Sequence, residues 1–292
     1  MRLFQLIAFG FTIAALFCTQ NMAAQENSLL IYGTRFTIKP NTTLTIKGNL
    51  KAVKNDNKGN NIHNEGIIDL SDTLISTVDG LFYSSSNPYL DTSNTEQDTM
   101  TYGKIKFTGT SPQIIKGENK MLFNHITLHN ALVLNQTITT FGKITLNTNN
   151  LYLNSHSINL FDLSPKINRR TGRIGIETNT SKIYDNGPGK VRHNYKYTFA
   201  NDSTNIGGMG IEFYSDETLD SITFERGHLS IDTLTDQSLE KVFTVTHNKD
   251  NISGMLKIHY LDPADFPNTI IDENEFTLWH YDTTKSLLSN MG

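Results

Sequence analysis

Residues 123–160 read FNHITLHNALVLNQTITTFGKITLNTNNLYLNSHSINL. Apolar residues alternate with polar ones at Ile126/Leu128 and Leu132/Leu134. The pattern recurs at Ile144/Leu146 and Leu151/Leu153, so the first pair repeats after 18 residues and the second after 19. Period-2 alternation makes each pair one face of a short strand, and a repeat of this length lets each coil of chain bury its apolar residues on the next. The expected architecture is a β-solenoid. Asn135 and Asn154 sit at the same 19-residue step, where stacked amides are expected to satisfy polar groups at a coil corner.

The same grammar extends upstream. In residues 29–50, Phe36/Ile38 and Leu44/Ile46 alternate with Thr and Lys, and Pro40-Asn41 forms a corner, which predicts a first coil. Lys51–Asn61 is expected to be a polar loop, and residues 83–101, rich in Ser, Thr, Asn and Asp, a long excursion from the stack. No window of a dozen residues has helical apolar spacing. After the turn cluster Asn186-Gly187-Pro188-Gly189 the strands lengthen and lose the period (GMGIEFY, DSITFERG, KVFTVTHN, GMLKIHYL, EFTLWHY), as in an antiparallel β-sandwich. The expected fold is all-β: a right-handed parallel β-helix over 25–185, then a β-sandwich over 186–292. The last residues follow an amphipathic strand with no closing one, so the sandwich either ends unusually or is truncated.

Arg2, the apolar run Leu3–Phe17 and Met22-Ala23-Ala24 form a secretory signal peptide, expected to be cleaved after Ala24. The run is shorter than the roughly 20 apolar residues of a membrane span. Phe17 stands where a lipoprotein signal has a small residue before Cys18, which argues against lipid anchoring. Removing Arg2 leaves 24 basic against 29 acidic residues, a mature charge near -5. That balance disfavours nucleic acid and anionic membrane as partners. Cys18 is the one cysteine, so stability is expected from packing and strand ladders without disulfides. The basic run Lys166, Arg169, Arg170 and Arg173 reads as a solvated loop.

The order GIIDL, GKIKFTGTSPQIIKG, FNHITLHN, LVLNQTITTFGKITLN, and then NIGGMGIEF, SITFERGH, KVFTVTHN, LKIHYLD and ENEFTLWHY, resembles exported Bacteroidetes surface or adhesin-like proteins in which solenoid repeats precede a sandwich. The resemblance implies export, a cell-surface role, and a C-terminal sorting domain for type IX secretion. No such domain is present in this sequence, so a shortened form of a longer protein is expected. It also points to O-glycosylation at Asp-Ser/Thr sequons, which offers Thr73, Thr99, Ser203, Ser221, Thr233 and Thr283.

Catalytic constellations are sparse. Residues 121–160 hold no Asp, Glu or Arg, with Lys143 as the single charge beside their histidines. Glycosidases and lyases need paired or clustered acids. Glu65, Asp69 and Asp72 are the remaining carboxylates near the first coils, and an extended strand would hold Glu65 and Asp69 about 13 Å apart. His125 and His129 have metal-chelating spacing on a helix but not on a strand, so both read as surface residues. Asp262, Asp265, Asp272 and Glu273 are weak calcium candidates in an acidic loop. No cofactor is expected. The sequence therefore predicts a non-enzymatic exported surface protein with a structural or adhesive role, its partners glycans or surface proteins. The alternative is a carbohydrate-binding or carbohydrate-active protein, for which Tyr83, Tyr89 and Tyr102 are the candidate sugar platforms.

Overall fold

The computed structural model describes residues 28–32, 36–53, 62–76, 80–82, 103–118, 121–161, 172–197, 204–215, 219–228, 241–247, 254–261, 279–282 and 287–290. The alternation seen in the sequence becomes seven successive coils. The first contains β1 (Ser28–Tyr32), β2 (Phe36–Ile38) and β3 (Thr43–Ile46), and the second β4 (Asn49–Val53), β5 (Ile62–Asn64) and β6 (Ile67–Leu70). Next come β7 (Leu74–Ser76), β8 (Gly80–Phe82) and β9 (Lys104–Phe107), then β10 (Gln113–Gly117), β11 (Met121–Phe123) and β12 (His125–Leu128). The fifth coil has β13 (Leu132–Asn135), β14 (Ile138–Thr140) and β15 (Lys143–Thr145). The sixth has β16 (Leu151–Tyr152), β17 (Ile158–Leu160) and β18 (Arg173–Ile174), and the seventh opens with β19 (Ile183–Tyr184) and β20 (Lys190–Tyr197).

The first, second and third strands of the coils make three faces. All first strands pair in one seven-stranded parallel sheet, the third strands in a six-stranded parallel sheet, and the second strands from β8 to β20 in another, with β2–β5 as a separate pair. These parallel sheets are consistent with a β-helix. The sequence repeats set the register: Ile126 pairs with Ile144 and Leu132 with Leu151. Inside the stack the columns are apolar. Leu50, Leu74, Ile115 and Leu134 are partners in turn on face one, and Ile68, Ile105, Ile126 and Ile144 on face three, all at most 1% exposed. Fully burying one such side chain is worth about 1.5–3 kcal/mol. Lys51–Val53, expected in a loop, instead extends β4, because Ala52 is small enough to bury in the core as Ile31's register partner.

Side-chain amides stitch the corners, where the backbone leaves the ladders. Buried Gln113 accepts from the Gly109 N–H at 2.9 Å and donates to the Leu70 and Asp72 carbonyls at 2.8 and 3.0 Å. Asn64 donates to the Lys104 carbonyl at 3.1 Å, Asn130 to that of Gly109 at 3.1 Å, and Asn147 to that of Leu128 at 2.6 Å. Asn154 donates to the Asn135 side-chain oxygen at 2.7 Å, so the expected amide contact is present. Asn41, Asn147 and Asn154 also hold positive φ, which asparagine tolerates better than most residues. One residue type thus makes the turn and closes its hydrogen bonds.

Pairing changes hand of direction at β20. Residues Lys190–Tyr197 are parallel to β17 on one edge and antiparallel on the other to β23 (Leu219–Gly227), which in turn pairs with β24 (Val242–His247). A second antiparallel sheet holds β21 (Thr204–Asn205), β22 (Ile211–Ser215) and β25 (Gly254–Ile258), and β26 (Trp279–Asp282) pairs with β27 (Leu287–Asn290). Between β21 and β22 a 3-10 turn, Ile206–Gly208, lies against β18. Gly208 has φ +66°, and a Cβ there would stand 2.1 Å from the Ile174 carbonyl oxygen, so only glycine lets the turn approach. Ile206, Met209, Ile211 and Phe213 are buried in the same core cluster as the coils. Among the described residues there is no α-helix, and no helix is long and apolar enough to cross a membrane.

Candidate functional site

The three carboxylates near the first coils serve separate local partners. Glu65 lies at the bend after β5 and pairs with the buried His63 ring at 3.1 Å. Asp69 points outward from β6 and accepts from the Thr108 hydroxyl. Asp72 accepts from the Thr73 hydroxyl at 3.2 Å. A bend does intervene between Glu65 and Asp69, with Glu65 in the bend itself and Asp69 on β6, each bonded to a partner of its own. Among the described residues no group of three or more His, Cys, Asp and Glu could hold a metal ion.

His129 is exposed, as expected, whereas His125 is half-buried: its Nδ1 accepts the Lys143 N–H at 3.0 Å, which ties two coils together. Of the six glycosylation candidates, Thr73 is half-exposed at the corner before β7 and Ser221 lies within β23. Thr99, Ser203, Thr233 and Thr283 lie outside the described residues, as do Asp262, Asp265, Asp272 and Glu273, Tyr83, Tyr89 and Tyr102, Lys166, Arg169 and Arg170, and the signal peptide.

Stacking creates three features that linear spacing hides. On face one, Ile114, Val133, Tyr152 and Tyr184 form an outward column in register. The two tyrosine rings stack at 5.5 Å with 16° between planes, and the Lys182 ammonium sits 4.7 Å from the Tyr184 centroid. The rings therefore turn faces toward one another and edges to solvent, a geometry suited to stiffening the column more than to stacking on a sugar.

On face three, the first outward positions of β9, β12, β15 and β18 are Lys104, His125, Lys143 and Arg173. Lys104 is the register partner of His125, and Lys143 that of Arg173. The Ile126–Ile144 pairing places Lys143 beside His125. Lys106 follows two residues along β9. Burial and the neighbouring Lys106 hold the Lys104 ammonium below its ordinary pKa. The signal was in the sequence, but coil steps of 21, 18 and 30 residues conceal it unless the strands are first put in register.

The third feature is internal. Arg226 on β23 is fully buried, and its Nη1 donates to Glu177 at 2.5 Å and to the Met209 carbonyl at 2.9 Å. Glu177, in the loop between β18 and β19, also accepts the Ile183 N–H at 2.8 Å. Burial alone would raise the Glu177 pKa, but Arg226, Lys241 and these hydrogen bonds outweigh it and hold the carboxyl below its usual range. His228 lies near the cluster. Burial, then Arg226, Lys241 and Lys182, push its pKa well below the ordinary value. The arrangement fastens the last coil to the antiparallel sheet, and with Arg226 at 0% exposure it presents no reactive group to solvent.

Comparison of the chain with protein-family models, with curated proteins and with solved structures finds no match.

Proposed function

We propose that this chain is an exported, non-enzymatic surface protein with an adhesive or structural role. Its fold reads as a right-handed parallel β-helix continued by an antiparallel β-sandwich. The observation that carries the reading is the coil register itself: interior columns are given over to packing and corner amides to stitching, so the outward residues of successive coils repeat along flat faces. Such faces suit a repeating partner better than a single small substrate. Right-handed crossovers are the rule for parallel strands in one sheet. Phe213 of β22 and Phe224 of β23 meet at 5.8 Å, which supports two antiparallel sheets packed face to face. The local partners of Glu65, Asp69 and Asp72 favour a non-catalytic role over glycosidase or lyase chemistry.

The test is localisation in cells that make the protein. Whole-cell proteolysis should remove it, and the mature N-terminus should be Gln25. A chain kept in the cytoplasm with residues 1–24 attached would end the export reading. Turnover of a polysaccharide that is lost on Asp69→Ala would end the non-enzymatic one.

A further inference from the structure

A stack selected only for stability fills its columns with residues that tolerate their own kind, as the leucine, isoleucine and asparagine columns do. Face three departs from this. Parallel strands lie about 4.8 Å apart, which puts the backbones at Lys104 and Lys143, two coils apart, within about 10 Å, and those at Lys104 and Lys106 within about 7 Å. Like charges facing one another across strands are destabilising. Among the described residues, Lys104, Lys106 and Lys143 make no ion pair. The nearest acid by register, Asp69, accepts from Thr108 and faces Lys106 from the neighbouring strand, whereas the line of Lys104 and Lys143 has Ile67, His125 and Arg173 as its register neighbours and no acid. Arg173 continues the line at the next coil. A chain with net charge -4 therefore carries a cationic strip that runs along the stack.

We propose that this strip binds a linear acidic polysaccharide, lying parallel to the coil axis with its carboxylate or sulfate groups against successive coils. The coil rise is close to the length of one pyranose unit, so acids spaced along a sugar chain meet cations spaced along the stack. Half-exposed Thr145, two residues along β15 from Lys143, adds a neutral hydroxyl suited to sugar. Nucleic acid fits less well. It carries denser charge, which a net-negative chain repels at long range, and these strands present no Phe, Tyr or Trp outward for base stacking.

The inference rests on the adhesive reading by naming its ligand class. The test uses purified full-length chain, so it is independent of where the protein resides. Alginate and chondroitin sulfate oligosaccharides are titrated by calorimetry at low and physiological salt, with dextran and a short DNA duplex as comparators. Saturable, salt-sensitive binding of an acidic glycan is expected, with none to dextran. Lys104→Gln with Lys143→Gln should weaken it about tenfold, and Lys143→Gln alone about threefold. Lys51→Gln with Lys116→Gln removes the same charge from face one and should leave affinity unchanged. Melting of the face-three variant should equal or exceed that of the parent, because repulsion is relieved. No binding of either acidic glycan, equal loss from the face-one variant, or tighter binding of DNA would each overturn the proposal.

Discussion

Glu177→Gln keeps the shape and the acceptor for the Ile183 N–H but removes the charge that faces Arg226. With the amide oxygen held by Ile183, the amide NH2 faces Arg226 Nη1, and the guanidinium, at 0% exposure, keeps the Met209 carbonyl alone among its described acceptors. Breaking a buried pair from one side in this way costs about 3–5 kcal/mol, because a cation is left in low dielectric. Replacing Arg226 by Met as well removes that cation, and the double variant should return to within about 1 kcal/mol of the parent. The coupling between the two sites should therefore exceed about 2 kcal/mol. Urea titration at pH 7 followed by native-state hydrogen exchange at the amides of β20 and β23 reads the effect where it arises. A loss below about 1 kcal/mol in Glu177→Gln, or a double variant as unstable as the sum of its singles, would show that the pair does not fasten the junction.

Other outcomes follow from buried groups and close contacts. His193, in the interior of β20, has its pKa lowered by burial to about 4. Between pH 6.5 and 4 the unfolded chain binds a proton that the folded one refuses, so stability is full above pH 6.5 and falls by about 3 kcal/mol toward pH 4. Unfolding measured across that range should show the slope, and His193→Leu should reduce it. His228 acts with the same sign. Asn154→Ala deletes the 2.7 Å contact to Asn135 and should cost about 1 kcal/mol by chemical denaturation, with Asn154→Asp no better. Gly208→Ala forces a Cβ to 2.1 Å from a backbone carbonyl at positive φ, and the junction should melt earlier than in the parent by an amount matching about 1–3 kcal/mol.

The parallel stack was legible because its signal is local. Leucine and isoleucine pairs recur at nearly constant steps where coils are shortest, and those steps are the observed register at Ile126–Ile144 and Leu132–Leu151. Asn135 and Asn154 could be read the same way. Long coils hide the register: Ile144 pairs with Ile174 after 30 residues, so spacing alone does not align Arg173 with Lys143. The buried ion pair was beyond sequence reach for a different reason. Glu177 and Arg226 are 49 residues apart, one in a loop between coils and the other on an antiparallel strand, and nothing near either marks it as interior. Charge near the middle of FERGH reads as the polar side of an edge strand until Glu177 and the Met209 carbonyl are seen to meet it.

The strand from Lys190 to Tyr197 carries a mechanical consequence. It belongs to the last coil through one edge and to the antiparallel sheet through the other, and the Glu225 carboxylate grips its Lys190 at 2.7 Å and its Arg192 at 2.5 Å. No linker separates the two kinds of pairing at this point. A load that slides β20 along its neighbours must shear several ladder hydrogen bonds at once, whereas one that peels it sideways meets them singly. The shared strand thus makes the joint stiff in one direction and yielding in another.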